Sequence, residues 1–350
     1  MTRTEMKFYQ VGSRAVGNRL LPPAERAEQA NGQRKNALDS GHRACQGCGE
    51  ALAARYVLDA AVRATEGRLM VVNATGCLEV FSSPYPESSW QLPWLHSVFA
   101  NAPAAAAGVA AALAAQGRSE IRVLAQGGDG ATVDIGLACL SGMFERNDDV
   151  LYVCYDNQAY MNTGVQRSGA TPVAAWTATT AAVGTEPGNP HGVGKDLPRI
   201  AMAHDIPYVA TATVAELHDL EAKVAKAMTS RGARYLHVLA PCPLGWRSPP
   251  AETILLARLA QQCGLFPVFE AEHGEVTSVL PIRRRVPVED YLRRQGRFAH
   301  LFGEQARPEL LDRVRQTAER NLRRYGITEI ADGSAAGAGP EPGDPQEARP

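Results

Sequence analysis

Neither sign of charge is in excess in this 350-residue sequence: 36 lysines and arginines stand against 37 aspartates and glutamates, a net charge of −1. A nucleic-acid clamp built on bulk positive charge is thereby excluded, and nothing calls for a polybasic membrane anchor. Long apolar runs are missing as well. None approaches the ~20 residues that a membrane-spanning helix needs. The opening stretch MTRTEMKFYQVGSR holds no apolar region of the kind that secretory signals carry, so a cytoplasmic location is expected. Cysteine is scarce: seven in the chain are too few for a disulfide scaffold and leave metal binding, redox work or core packing. Internal repeats are also absent. What remains is the balance of a globular protein, 45% apolar and 21% charged, long enough for a sizeable core.

The ends differ from the middle. Residues 1–43 are polar, with a Pro22-Pro23 turn, and are expected to form an arm that wraps a neighbour. Residues 329–350 are dominated by Gly, Ala, Pro and acid, too little apolar surface to offset ordering entropy, so a disordered tail is expected. Between them, helix and strand signals alternate. An Ala/Leu-rich helix is expected from Glu50 to Thr65, a strand from Leu69 to Asn73, and a small-residue helix from Ala102 to Gln116. Apolar runs at Ile121–Gln126, 150–155 and Tyr235–Ala240 read as buried strands. Val133, Leu137, Leu140 and Phe144 recur at helical spacing. Such alternation predicts an α/β fold with a mostly parallel sheet covered on both faces, with ligands at the carboxyl ends of its strands. The central domain is expected to span 44–262, with a C-terminal extension over 263–328.

Two loops at strand ends carry chemistry. Gly127-Gly128-Asp129-Gly130 follows one strand and opens a helix, where glycines let backbone N–H groups approach an anion. A carboxylate inside such a loop repels phosphate unless a divalent cation lies between them, so Asp129 reads as a metal ligand. A hard cation such as Mg²⁺ takes oxygen ligands shared with substrate phosphates. Asn157, after the next strand, offers a second oxygen, and a carbonyl near Ala159 a third. Both loops are also compatible with ordinary turns.

Cys45-Gln46-Gly47-Cys48 opens a helix and by itself fits a redox dithiol, zinc or an iron-sulfur cluster. Cys77 and Cys242, each in a loop after a strand, are the candidates to complete a four-ligand site. On the residues alone, zinc and [4Fe-4S] stay equally open. Cys139, Cys154 and Cys263 lie within helix or strand patterns and read as packing thiols.

GDG, 26 residues, then Asn resembles the signature by which thiamine-diphosphate enzymes hold Mg²⁺. The strings DNQAYMNTGVQRSGATP, HRACQGCGEALAARYVLDA, NATGCLEVFSSPYPESSWQLPWLHSVFANAPA and PCPLGW resemble, more specifically, the thiamine-binding β subunit of pyruvate:ferredoxin oxidoreductase and its 2-oxoacid relatives. The similarity runs from about His42 to Trp246 and continues weakly to Phe302. It implies a three-layer thiamine-diphosphate-binding fold. It further implies that Gly128 and Gly130 cradle the diphosphate, and that Asp129, Asn157 and the Ala159 carbonyl hold Mg²⁺. Asn162, as a catalytic residue, and Thr163 then lie beside the reacting end of thiamine diphosphate, and Cys45, Cys48, Cys77 and Cys242 hold a [4Fe-4S] cluster.

The implied activity is CoA-dependent oxidative decarboxylation of pyruvate or a related 2-oxoacid, with electrons passed singly to ferredoxin or flavodoxin. The Glu that activates the aminopyrimidine in thiamine enzymes belongs to a second α/β module, for which this chain has no room. An α subunit is expected to supply it, alongside γ and ferredoxin-like δ subunits. A non-redox thiamine-dependent decarboxylase or synthase subunit would keep Asp129 and Asn157 without needing the cysteines, and a zinc-stabilised interaction module the reverse. Of the remaining features, His96 is placed at the start of the Ala-rich helix, Glu79 beside the Cys77 loop, and Trp90 and Trp94 in packing or a partner surface. The arginines at 283–285 and 293, 294 and 297 read as solvated surface or as a docking face for a companion subunit or acidic electron carrier.

Overall fold

Short apolar runs in this chain become buried strands, and the periodic segments between them become helices. The computed structural model describes residues 36–84, 88–303 and 306–329. In chain order its elements are α1 (Gly49–Ala64), β1 (Leu69–Ala74), α2 (Cys77–Ser82), β2 (Trp94–Ser97), α3 (Ala102–Ala115), β3 (Arg122–Gly128) and α4 (Leu137–Glu145). They continue with β4 (Val150–Asp156), α5 (Leu197–Met202), β5 (Tyr208–Thr213), α6 (Leu217–Thr229), β6 (Arg234–Leu239) and α7 (Pro243–Trp246). Last come α8 (Thr253–Gln262), β7 (Phe269–Glu272), β8 (Glu275–Val279), α9 (Val288–Leu292) and α10 (Pro308–Tyr325).

The strands form one eight-stranded sheet in the order β2-β1-β3-β4-β6-β5-β7-β8. Its first six members are parallel, and β7 and β8 continue it antiparallel. The expected α/β class with a mostly parallel sheet is the one adopted. Every residue of the central strands β4 and β6 is buried, as sheets covered on both faces require. Side chains alternate between the covers: Leu151, Val153 and Tyr155 of β4 pack under α1 and α6, while Val150, Tyr152 and Cys154 pack under α3, α4 and α5. A third apolar cluster gathers α8, α9 and α10 around Trp246, Leu239 and residues 173–175.

The expected N-terminal arm and C-terminal tail fall almost wholly outside the described residues. At the described edge of the arm, Ala37 and Leu38 are buried in this chain's own core, and Leu38 bridges to Trp90. Two local expectations change. His96 lies in the edge strand β2, because Trp94–Ser97 pairs with Val71–Ala74 of β1. The helix expected around Val133 begins as a wide π-helical turn, Gly130–Ile135, before α4 takes over. A Cβ at Gly136 would sit on the Ala131 carbonyl oxygen, and the Thr132 hydroxyl bonds the Gly128 carbonyl at 2.6 Å. Together they hold a turn wider than α-helical at the head of the site, a common functional use of π turns. Among the described residues, no helix is long and apolar enough to cross a membrane.

Candidate active site

Register places the site. β1, β3, β4 and β6 are consecutive neighbours, and their carboxyl ends point the same way. Cys77 follows the end of β1, Asp129 that of β3, Asn157 that of β4 and Cys242 that of β6. Four of the residues singled out by sequence therefore emerge side by side along one edge, where parallel sheets bind ligands.

Asp129 and Asn157 are both buried. Asp129 Oδ2 accepts a hydrogen bond from the Ser168 hydroxyl, but its Oδ1 has no hydrogen-bond partner. Asn157 donates from Nδ2 to Glu50 Oε2 at 3.3 Å, and its own Oδ1 is likewise without a donor. Buried oxygens left without partners are rare in folded proteins and call for a missing ion or ligand. Burial foremost, then the negative charges of Asp156 and Glu50, push the Asp129 carboxyl well above the usual carboxylate range. A cation here would relieve that cost, and two hard oxygens on neighbouring strand ends suit Mg²⁺.

The glycines beside Asp129 serve different ends. A Cβ on Gly127 would crowd the Tyr152 hydroxyl and Ala74, and one on Gly130 would enter the Tyr160 ring. A Cβ on Gly128 would meet nothing nearer than the Tyr155 carbonyl oxygen at 3.9 Å. Packing thus demands glycine at 127 and 130, while at 128 the backbone faces open space that a ligand can fill. The Tyr160 hydroxyl shares its one proton between the Gly130 carbonyl and Asp134 Oδ2, both at 3.2 Å, and its ring stacks on Phe99.

Ala159 is buried, whereas Asn162 and Thr163 are exposed on the turn that follows it. The Thr163 hydroxyl donates to Gln166 Oε1 at 2.6 Å. Val165 is held at φ +66° and Gln158 at +71°, conformations that cost a side-chain-bearing residue energy and that persist where surrounding contacts over-determine them. Here they do. The Gln158 N–H donates to Asp156 Oδ1 at 2.9 Å, its carbonyl accepts from the Thr171 hydroxyl at 2.7 Å, and its Oε1 accepts from Arg297 Nη2 at 2.6 Å.

Four of the seven cysteines lie near the same edge. Cys48 is the N-cap of α1 and Cys242 that of α7, each sulfur accepting a backbone N–H at 3.4 Å. The Gly49 N–H donates to the Pro241 carbonyl at 3.1 Å, locking the two caps together. Cys77 begins α2, and its environment includes Cys48, Cys242, Glu50 and Asp129; Cys242 in turn feels Cys45. Burial first, then Glu50, push the Cys48 thiol up to about 12 and raise Cys77 further; burial also raises Cys242. Burial in apolar surroundings disfavours the thiolate, and a metal that accepts it offsets that cost. Cys45 and Cys48 line an open depression with His42, Arg55 and Pro250. All seven cysteines are free. Among the described residues no three His, Cys, Asp or Glu side chains close into a group that could hold a single metal ion.

Sequence reasoning missed the residues that tie these parts together. Glu50, named from sequence only as the start of a helix, is buried against Asn157 and its carboxyl is pushed up to about 7, mainly by burial. Trp246 donates its indole N–H to the Asn157 carbonyl at 2.8 Å. Arg297, assigned by sequence to a surface group, is fully buried: its guanidinium stacks 4.0 Å over Trp246 and bonds Gln295 and Gln158. A run of arginines carries no sign of which member turns inward. Of its neighbours, Arg285 pairs with Glu319, Arg294 with Glu252, and Arg293 lies over Phe302. His96 stacks on Trp94 and bonds the Thr75 hydroxyl at 2.8 Å, and Trp94 stacks on Trp90.

Residues 74–238 match the family described as thiamine pyrophosphate enzyme, C-terminal TPP binding domain; that span takes in Asp129, Asn157 and the turn bearing Asn162. The pyruvate synthase subunit PorB of Methanosarcina barkeri is 47% identical over 292 residues, covering 83% of this chain and 97% of that one. The ketoisovalerate oxidoreductase subunit VorB of Pyrococcus abyssi is 42% identical over 276 residues, covering 76% and 86%. Among solved structures, the 2-oxoglutarate:ferredoxin oxidoreductase of Magnetococcus marinus shares the fold, with a TM-score of 0.52 at 18% identity over 86% of this chain and 94% of that one.

Proposed function

We propose, from the fact that the chain belongs to the family of the pyruvate synthase PorB and ketoisovalerate oxidoreductase VorB subunits, that it is the thiamine-diphosphate-binding β subunit of a 2-oxoacid:ferredoxin oxidoreductase. It is an oxidoreductase subunit, and pyruvate is the substrate we favour because the PorB relatives reach the higher identities. The observation that carries the reading is the pair of buried, unpartnered oxygens, Asp129 Oδ1 and Asn157 Oδ1, on neighbouring strand ends beside a gathering of thiols.

The residues fit the implied groups. Asp129, Asn157 and the Ala159 carbonyl would hold Mg²⁺, with Ser168 fixing the second oxygen of Asp129. Gly128 leaves the backbone open to a diphosphate, and Gly130 lets Tyr160 close over the loop. Asn162 and Thr163, exposed on their turn, would face the reacting end. Thiamine diphosphate, when bound, supplies the carbanion chemistry that takes up the electron pair released by decarboxylation. Cys45, Cys48, Cys77 and Cys242 would hold a [4Fe-4S] cluster. A cube spreads its thiolates over four irons, so it does not require the tight convergence of a single-ion site. Soft thiolates select iron-sulfur, and hard oxygens select magnesium, so the two halves do not compete for metal.

The exposure of Asn162 and Thr163 leaves the reacting end for a partner to enclose. We assign that task, and the activating Glu, to an α subunit, with γ and ferredoxin-like δ subunits completing a cytoplasmic complex that passes electrons to ferredoxin or flavodoxin and the acyl group to coenzyme A. The test is anaerobic purification, with metal analysis of this polypeptide freed of the ferredoxin-like subunit and a thiamine diphosphate titration of the complex. Iron and sulfide in equal amounts, with Mg²⁺-dependent binding, is the expected result. Zinc in place of iron, or thiamine diphosphate binding with no iron at all, would overturn it, and turnover by this polypeptide alone would remove the need for the α subunit.

A further inference from the structure

Asn157 is held from two sides, and both ties lead to cysteines. Its side-chain Nδ2 donates to Glu50, in the first turn of α1 just after its N-cap, Cys48. Its main-chain carbonyl accepts from the indole of Trp246, the last residue of α7, whose N-cap is Cys242. The two helix starts are joined by the Gly49–Pro241 hydrogen bond. Trp246 has no freedom to slip: it is fully buried, Arg297 stacks 4.0 Å over its face, and Tyr291 packs edge-on against it. Cys242 and Trp246 are the N-cap and last residue of one short helix, so a shift of Cys242 bears on the indole and, through its hydrogen bond, on the Asn157 carbonyl. A buried indole N–H that loses its only acceptor loses more than the bond was worth, so indole and loop must move together.

We infer that Trp246 is a positioning residue through which filling the four-cysteine site tightens Mg²⁺-dependent thiamine diphosphate binding at Asn157. The inference rests on the function proposed above. By linkage the effect is mutual: the cofactor must equally favour retention of the cluster. Packed side chains and hydrogen bonds transmit such coupling when they have discrete arrangements that both sites bias, and a hydrogen bond to the residue that bears the free oxygen is a short route.

The experiment uses the anaerobically purified complex and the same complex stripped of iron by a chelator. Thiamine diphosphate is titrated in saturating Mg²⁺ by calorimetry, for the native protein and for Trp246→Phe. Stripping should weaken binding by about five- to a hundredfold in the native protein. In Trp246→Phe with native iron content, the ratio of the two dissociation constants should fall severalfold, the Glu50 tie carrying what coupling remains. A merely structural loss would weaken both states alike and keep the ratio. An unchanged dissociation constant on stripping the native protein, or a full ratio in Trp246→Phe, overturns the inference. Should Trp246→Phe fail to assemble, native protein decides alone: saturating Mg²⁺–thiamine diphosphate must lower the iron captured by a competing chelator at equilibrium, and equal capture overturns the inference. A complex that carries no iron, or binds no thiamine diphosphate in either state, overturns the proposed function itself, a result distinct from two binding sites with a ratio of one.

Discussion

Replacing Glu50 by Gln tests how strongly burial loads this site in the metal-free chain. Glu50 is 3% exposed, and burial pushes its carboxyl from 4.5 up to about 7, against the opposing hydrogen bonds from Asn157 and the Leu78 backbone. A buried acid whose folded value lies above its unfolded one binds more protons in the native state. Its favourable contribution is therefore complete at low pH and is lost as pH rises from about 4.5 through about 7. Each tenfold change in proton affinity is worth about 1.4 kcal/mol, so ionised Glu50 withholds about 3 kcal/mol from the metal-free fold at pH 8. Gln has nearly the same shape, keeps an acceptor for Asn157 and has no charge to bury. Urea unfolding of the metal-free chain should give Glu50→Gln and native protein similar stabilities at pH 5. At pH 8 the variant should be the more stable by about 2–3 kcal/mol. Parallel pH profiles would refute the reasoning and show that Glu50 reaches solvent or a counter-charge.

Other substitutions separate the parts of the site. Asp129→Asn should weaken Mg²⁺-dependent thiamine diphosphate binding about a hundredfold, measured by calorimetry, because it removes the charge that a hard cation needs. Gly128→Ala should leave thermal stability unchanged while impairing that same binding, whereas Gly130→Ala should lower the melting temperature by displacing the Tyr160 ring. Arg297→Ala should destabilise the chain by about 3–5 kcal/mol in urea, since it leaves Gln158 and Gln295 acceptors unpaired and opens a void on Trp246.

Much of this was legible in the sequence because the informative residues are ones that strands reject. Gly128, Asp129, Asn157 and Cys242 stand where apolar runs break off, and parallel pairing then lines up the breaks. The alternation of runs with periodic segments foretold the parallel sheet for the same reason. What could not be read was whatever depends on a helix's rotation or a loop's path. Glu50 looks like no more than the start of a helix until α1 is docked against Asn157. Arg297 looks like its exposed neighbours until the turn after α9 carries it onto Trp246. The wide turn at Gly130–Ile135 shares its apolar spacing with an α-helix, and the Gly136 contact and the Thr132–Gly128 hydrogen bond distinguish them. His96 was misplaced by its nearness to the Ala-rich helix, although Trp94–Ser97 has the length and pattern of an edge strand.

The central claim is that hard and soft metal sites sit along one sheet edge and share Asn157 as a junction. A crystal structure of the anaerobically prepared complex with Mg²⁺ and thiamine diphosphate, phased at the iron edge, tests it most directly. The account predicts iron bound by the sulfurs of Cys45, Cys48, Cys77 and Cys242, and Mg²⁺ bound by Asp129 Oδ1 and Asn157 Oδ1. Iron absent from the four sulfurs, or a diphosphate bound with Asp129 and Asn157 still unliganded, would contradict it.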